Sequence, residues 1–431
     1  MFKYFEKIGR IFFYIFVFVL PFQTRLILAK WHYPFIEWTS AYLYVTDILV
    51  VGFLYLWLVR AVKDNLKPRF DGVGFLLLGF LVLSLLSIVH AQIPTLAWYR
   101  MLKLIEFALL FWYVRSNWGT FINPLVCGTA VAVSGILQAL IAIAQYLNQS
   151  SLGLRLLGES RLDLVTPGVA VFFADGIKYM RAYGTFPHPN VLAAWLLICL
   201  WVLIWLYLCY GKRKISFVLI GYTLILIALL LTFSRVIIAV YFVSTLLGII
   251  LMRLKEKKVI VLILLTVLIS VIFAISYWPQ VLARVKVSSQ EDAVTERIYY
   301  SKVAGGITEK NPLLGVGIGQ FIPKFITQIR HRPTHYYQPV HNIYLLISSE
   351  TGIVSLLIFL FMCGLIIRGF YKKIKILSMG SLAIFSTLFS LLFIGLFDHF
   401  LWTLQQGSLM LWLLLGIVAA KSDIIKSHDH S

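Results

Sequence analysis

The sequence has little charge, and very little of it is acidic. Its 431 residues carry 18 Asp and Glu against 38 Lys and Arg, and charged residues make up 13% of a chain that is 60% hydrophobic. With a mean hydropathy of +0.89, that balance excludes a soluble globular domain. Cysteine is also scarce. Cys127, Cys199, Cys209 and Cys363 all lie in apolar runs without metal-ligand spacing. This argues against a zinc site and for packed free thiols. The roughly ten-residue alternating segments of a membrane barrel are missing. The motif Gly315-x-Gly317-x-Gly319 lacks the spacing and the strand-then-helix context of a dinucleotide fingerprint. No internal repeat and no soluble domain stand out.

What the chain does have is a series of long apolar runs. These predict a single polytopic, all-α integral membrane domain over residues 1–431. Twelve candidate spans cover about residues 10–28, 41–60, 72–90, 96–114, 121–147, 190–210, 215–232, 235–252, 258–277, 342–367, 376–397 and 401–420. The N-terminus is basic and then apolar, but Pro21 and Arg25 follow without a small-residue cleavage site, so a retained first helix is expected. The formal charge of +20 is first a topology signal, not a mark of nucleic-acid binding. Basic clusters fill nearly every second loop: Lys3, Lys7 and Arg10; Arg60 to Arg69; Lys212-Arg213-Lys214; Arg253 to Lys258; Arg368 to Lys375; Lys421 and Lys426. Basic loops stay in the cytoplasm, which puts both termini inside.

The alternate loops then face outward, and two of them are long, about 148–189 and about 278–341. The first holds Arg181-Ala-Tyr-Gly184-Thr-Phe-Pro187-His188-Pro189-Asn190, where two prolines constrain the backbone around His188 and Asn190 is placed to cap the sixth span. The second opens with Ser288 and Glu291, spaced as a capping box. This predicts a short helix over 293–307 that carries Arg297 and ends before Pro312. The stretch 311–352 is the chain's centre of interest. It holds the glycine ladder, a basic and aromatic segment, and His341-Asn342 at the start of an apolar run. The glycines there let backbone approach a ligand or a neighbouring helix closely.

A few polar side chains in this frame could carry chemistry. Arg235 sits at the tight Ser234-Arg235 junction between two spans. It reads either as an arginine snorkelling to the headgroups or as a phosphate ligand in a cavity. Arg297 reads either as a solvated helix face or as a second phosphate clamp, since guanidinium forks onto phosphate oxygens. His341 reads either as a structural hydrogen-bonder or as a general base. His188 and His399 also fall at outer ends of spans. Three histidines raise the question of a metal, but none of the three shows the i,i+4 pairing of a zinc helix. There is also no Asp-x-Asp pair, so no metal and no other cofactor is expected. Lys103 and Glu106 lie within a span, spaced to pair one turn apart in a structural role.

Together these residues resemble the O-antigen ligase and O-antigen polymerase superfamily. The resemblance rests on Arg181-x-x-Gly184 with His188-Pro-Asn190, then Thr232-Phe-Ser234-Arg235. It continues with Asn311-Pro-x-x-Gly315-x-Gly317-x-Gly319-x-Phe321, and then His341-Asn342 followed by Glu350-x-Gly352. It covers about residues 170–420. It implies a GT-C-like, all-helical glycosyltransferase in the cytoplasmic membrane, with its site on the outer face and its large loop between spans nine and ten. It also implies a metal-independent transfer of a glycan from a polyprenyl-diphosphate carrier to a hydroxyl of a glycolipid or glycan acceptor, for which a single, inverting displacement is the simplest course. In that picture Arg235 and Arg297 hold the diphosphate and His341 activates the acceptor. Arg181, His188 and Asn342 are further substrate contacts, and the remaining partner is the lipid bilayer. The same motifs serve ligases, polymerases and protein O-oligosaccharyltransferases. Outside the class, the competing reading is a lipid-linked glycan flippase or transporter.

Overall fold

The computed structural model describes residues 2–65, 70–210, 214–252, 257–286, 292–329, 333–373 and 379–420. These residues form helices joined by turns, longer loops and two small antiparallel hairpins. In chain order the helices begin with α1 (Phe2–Val19), α2 (Val45–Lys63), α3 (Gly72–Leu86), α4 (Pro94–Asn117), α5 (Pro124–Asn148) and α6 (Pro189–Cys209). Next come α7 (Ile215–Leu231), α8 (Arg235–Met252), α9 (Lys257–Ser276), α10 (Trp278–Val285), α11 (Asp292–Lys310) and α12 (Phe321–Gln328). The chain closes with α13 (Ile343–Thr351), α14 (Ile353–Lys373), α15 (Met379–Ile394), α16 (Phe400–Thr403) and α17 (Gln405–Ala419). Strands β1 (Arg25–Lys30) and β2 (Ser40–Tyr44) form the first hairpin, and β3 (Val171–Ala174) and β4 (Ile177–Met180) the second.

Among the described residues, six helices are long and apolar enough to cross a membrane: α2, α3 with the turn that follows it, α5, α6, α9 and α14. Four shorter apolar helices, α7, α8, α15 and α17, pack among them. Burial sorts these helices. Along α6 nearly every side chain is covered, including Trp195 and Trp201, and α17 is covered along its whole length. Along α9, Leu264, Val267, Leu268, Val271, Ile272 and Ile275 face outward. A helix that is apolar on all sides belongs at the centre, while outward-facing aliphatic stripes suit a lipid surround.

Local chemistry explains several boundaries. Proline stands at the first turn of α4, α5 and α6, where its missing N–H costs nothing. Asp71 and Asn123 accept hydrogen bonds from the first N–H groups of α3 and α5. Arg297 rides on α11 as expected, although that helix is longer than the 293–307 predicted. The Ser288 and Glu291 capping box lies outside the described residues, as do many of the basic loop residues.

Other expectations need correction. The first span was expected to run to residue 28, but α1 ends at Val19 before Pro21, and 25–30 is a strand. Its partner strand takes the first residues of the second expected span, so that helix starts at Val45. An apolar run alone cannot separate a helix from a short buried strand. The expected span 342–367 is broken at Gly352 (φ +91), where a Cβ would lie 2.0 Å from the Leu313 carbonyl oxygen. The expected span 401–420 is broken at Leu404, between α16 and α17. The glycine ladder serves packing. A Cβ on Gly315 would meet the Glu350 backbone at 2.4 Å, and Val316 and Gly317 donate to the carbonyls of Ser349 and Glu350.

Candidate active site

The N-termini of α6 and α8 and the C-termini of α10 and α15 converge at one end of the bundle, where α11 and the residues before α13 close over them. They enclose an open cavity with about 1090 Å³ of empty space. Arg181, His188, Arg235, Arg297 and His341, five of the six residues singled out from the sequence, line it. Asn342 does not. Its side chain caps α13, accepting from the N–H groups of Tyr344 at 2.9 Å and Leu345 at 3.1 Å. This fixes the direction in which the chain carries His341 into the helix.

Asn190 is the hub of the site, not the cap of α6. His188 is that cap, its Nδ1 accepting from the Asn190 N–H at 3.1 Å. This leaves the Asn190 side chain to tie three segments together. Its Oδ1 accepts from Arg181 Nη2 at 2.8 Å and from Ser234 Oγ at 3.0 Å, while its Nδ2 donates to Asp398 Oδ2 at 2.7 Å. Arg181 is held a second time by donating from Nε to the Thr232 carbonyl at 2.6 Å. One amide therefore sets the spacing between an arginine, the Thr232–Arg235 turn and a carboxylate.

That turn is unusual. Phe233 has φ +46, a left-handed conformation uncommon for a bulky residue. Its ring is gripped by Phe172 on β3 (centroids 4.9 Å apart) and by Tyr146 and Phe273 (each 5.8 Å). The aromatic contacts hold the backbone turned so that Ser234 and Arg235 reach the cavity. Arg235 donates to the Arg284 carbonyl at 3.3 Å, and Arg284 donates to the Phe233 carbonyl at 3.4 Å. Arg284 lines the cavity too, making a fourth guanidinium that sequence reasoning missed. It lies in α10, among residues matching no quoted motif, and a lone basic residue in a loop carries no signal of its own.

His341 stacks on Tyr300 of α11 (centroids 6.3 Å, interplanar 13°) and meets His399 edge-on at 5.0 Å. His399 is anchored by Nδ1 to the Thr403 hydroxyl at 2.7 Å. His341 Nδ1 is buried without a hydrogen-bond partner among the described residues. Burial pushes the His341 imidazole below its usual value; Asp398 opposes this and Arg297 adds to it. Burial, with Arg181, pushes His188 down to about 3, and burial, with His341, pushes His399 down to about 3. These rings are neutral at neutral pH, the state in which an imidazole can accept a proton. Burial and the neighbouring Arg284 push Arg181 down to about 9, still protonated at neutral pH. Burial alone would raise Asp398, but His399, His341, His188 and the Asn190 amide hold it well below the usual carboxylate range.

The cavity wall thus presents four guanidinium groups (Arg181, Arg235, Arg284 and Arg297) against two carboxylates (Glu296 and Asp398). No group of three or more His, Cys, Asp or Glu side chains is arranged to hold a metal ion among the described residues. A positive wall and a neutral imidazole in one cavity can bind an anionic leaving group and take a proton from an approaching hydroxyl.

No curated protein matches the chain. The family model described as O-antigen ligase matches residues 220–360, about a third of the chain, a segment that includes Arg235, Arg284, Arg297 and His341. Arg181, His188, Asn190 and Asp398 lie outside that segment and reach the cavity only through the fold. These motifs converge on one cavity, and over residues 220–360 the chain is similar to the family described as O-antigen ligase.

Proposed function

We propose that this protein transfers a glycan from a polyprenyl-diphosphate carrier to an acceptor hydroxyl at the outer face of the cytoplasmic membrane, without a metal and with inversion at the anomeric carbon. The observation that carries this reading is the meeting of Arg235, Arg284 and Arg297 with His341 around one cavity. The departing diphosphate gains negative charge as the glycosidic bond breaks. Arg235 and Arg297, with Arg284 beside them, answer that charge through forked hydrogen bonds that lysine cannot reproduce. A sugar hydroxyl is a weak nucleophile, and His341 takes its proton as attack proceeds. Arg181 and Asn190 hold the Thr232–Arg235 turn in register with Asp398. Base on one side and diphosphate on the other make a single displacement the simplest course.

The acceptor distinguishes an O-antigen ligase from a polysaccharide polymerase or a protein O-oligosaccharyltransferase, and all three share this chemistry. The reading includes twelve spans, both termini in the cytoplasm, and the 148–189 and 278–341 segments outside. A reporter active only outside the cell should work when fused near Gln149 or Gln328 and fail near Lys214 or after Lys373. The decisive experiment supplies purified protein with a polyprenyl-diphosphate glycan and an acceptor. Release of free polyprenyl diphosphate supports the transferase. Translocation of intact lipid-linked glycan without release would sink it in favour of a flippase.

A further inference from the structure

The first hairpin turns its ion pair inward and its apolar side chains outward. Arg25, at the start of β1, donates to Glu37 at 2.7 Å and lies over the Tyr42 ring at 4.1 Å. With Trp38, Tyr44 and Lys103, these three residues line a second, smaller cavity beneath the hairpin. Trp38 meets His399 edge-on at 5.0 Å, and His399 meets His341 at 5.0 Å. The hairpin therefore stands at the same end of the bundle as the arginine cavity.

The opposite surface is apolar. Leu26 is 63% exposed and Leu28 57%, with Ile27 exposed between them. Leu26 pairs in register with Leu43 of β2, which is exposed too, and the exposed Val45 opens α2. The line continues along α2 through Ile48, Val51, Tyr55, Leu58 and Val62, all exposed. These positions recur every three or four residues, so they form one stripe on a helix apolar and long enough to cross a membrane. Such a stripe faces lipid, and the surface of the hairpin is continuous with it. The tip adds Tyr33, 99% exposed, and the exposed Phe35, with Lys30 Nζ over the Phe35 ring at 5.6 Å.

Backbone hydrogen bonding sets the depth of this surface. β1 has a sheet neighbour on one side only. Its other edge carries backbone groups that hydrocarbon cannot satisfy but water and lipid headgroups can. Apolar side chains in a continuous patch are in turn costly in bulk water. Aromatic rings and a lysine are the residues that settle between these two media. A second copy of the chain is the rival occupant, through strand addition at β1. The register shift between Ile27 and Ala29 interrupts that edge, and Arg25 and Lys30 put charge at both ends of the strand. Both features oppose edge-to-edge pairing. We infer that the first hairpin is an interfacial anchor, its outer face and tip lying in the headgroup layer of the bilayer at the end of the bundle that holds the arginine cavity. This inference does not depend on the transferase reading.

The test uses the full chain in phospholipid nanodiscs, with Cys209, the exposed one of the four cysteines, changed to Ser. A polarity-sensitive fluorophore is attached at Tyr33→Cys and, for reference, at Ile48→Cys in the stripe of α2. Lipids spin-labelled at the headgroup should quench the label at position 33 several-fold more than lipids spin-labelled near the chain end. Aqueous iodide should quench it several-fold less than the free dye. The label at position 48 should be shielded from iodide still further. Strong quenching at position 33 by iodide and by neither lipid would put the hairpin in water and overturn the inference. Strongest quenching from the chain end would put it in hydrocarbon and overturn it as well. Shielding from all three quenchers, with cross-linking of two copies through Leu28→Cys, would hand the surface to a second copy. Leu28→Asp sets a charge in the exposed face and should shift the label at position 33 toward iodide with the melting temperature unchanged. An unaltered quenching pattern in that variant would count against the anchor.

Discussion

The two cavities at this end of the bundle are linked through His399, whose ring meets His341 of the first and Trp38 of the second, and they differ in how their charges are met. In the first, four arginines gather with two carboxylates, and the amide of Asn190 fixes the spacing of Arg181 and Asp398. In the second, Arg25 has Glu37, Lys103 has Asp47 and Glu106, and aromatic rings fill the walls. Excess positive charge in a partly enclosed space creates a standing demand for an anion. Charge already paired creates none. The difference teaches that arginine content alone does not mark a phosphate site. What sets the proposed diphosphate site apart is arginine in excess of the carboxylates that line it.

The strongest way to break this contrast is to remove the groups assigned to bond cleavage. His341→Ala, Arg235→Ala and Arg297→Ala should each lower turnover by roughly 10² to 10³ with folding intact, the usual cost of losing a positioned group. Arg297→Lys should recover only part of the loss, because a point charge cannot fork. Near-normal turnover of His341→Ala across pH at saturating acceptor would remove it as the base and make His188 the next to test. Arg284→Ala should cost less, roughly tenfold in kcat/KM for the donor, as one guanidinium among four. A loss as large as that of Arg235→Ala would make Arg284 a principal ligand.

A pH profile sharpens the comparison further. His341 must be neutral to act, and burial depresses its pKa. Activity should therefore hold as pH falls through 6.5, the ordinary imidazole value, and be lost only below it. Asp398 opposes the depression, so Asp398→Asn should move this acid limb to still lower pH. Arg297 adds to the depression, so the residual activity of Arg297→Ala should show the limb moved upward. A limb above 6.5 in the wild type would contradict a buried neutral base. The smallest expected effect is that of chelation: activity should survive EDTA. Loss with EDTA and recovery on adding a divalent ion would bring a metal back into the first cavity.

A structural prediction sits apart from catalysis. Gly315→Ala should lower the melting temperature, with a cost of roughly 1–3 kcal/mol for a strained backbone. The new Cβ would face both the positive φ and the Glu350 backbone. A variant with unchanged melting would mean that the ladder is not a packing device.

By itself the sequence determined that this is a helical membrane protein and singled out side chains that line one cavity. Apolar runs of 18 residues or more point to membrane helices, because unsatisfied backbone is too costly in lipid. Arg235, Arg297 and His341 stood out because charged or titratable groups at membrane edges need a reason. Their motifs are local, so they could be read locally. Tertiary structure decided everything that depends on convergence. Asn190 looked like a helix cap, and only the approach of the Thr232–Arg235 turn and Asp398 turned it into a hub. Arg284 and Asp398 stood in no readable motif, and folding brought them to the wall of the cavity. Asn342 looked like a substrate contact until α13 claimed its side chain as a cap. Strand β1 looked like the end of a span until β2 paired with it. Periodicity and capping act over a few residues and leave their mark in the sequence. Pairing across 208 residues, as between Asn190 and Asp398, depends on how helices pack, and no short stretch of sequence records that.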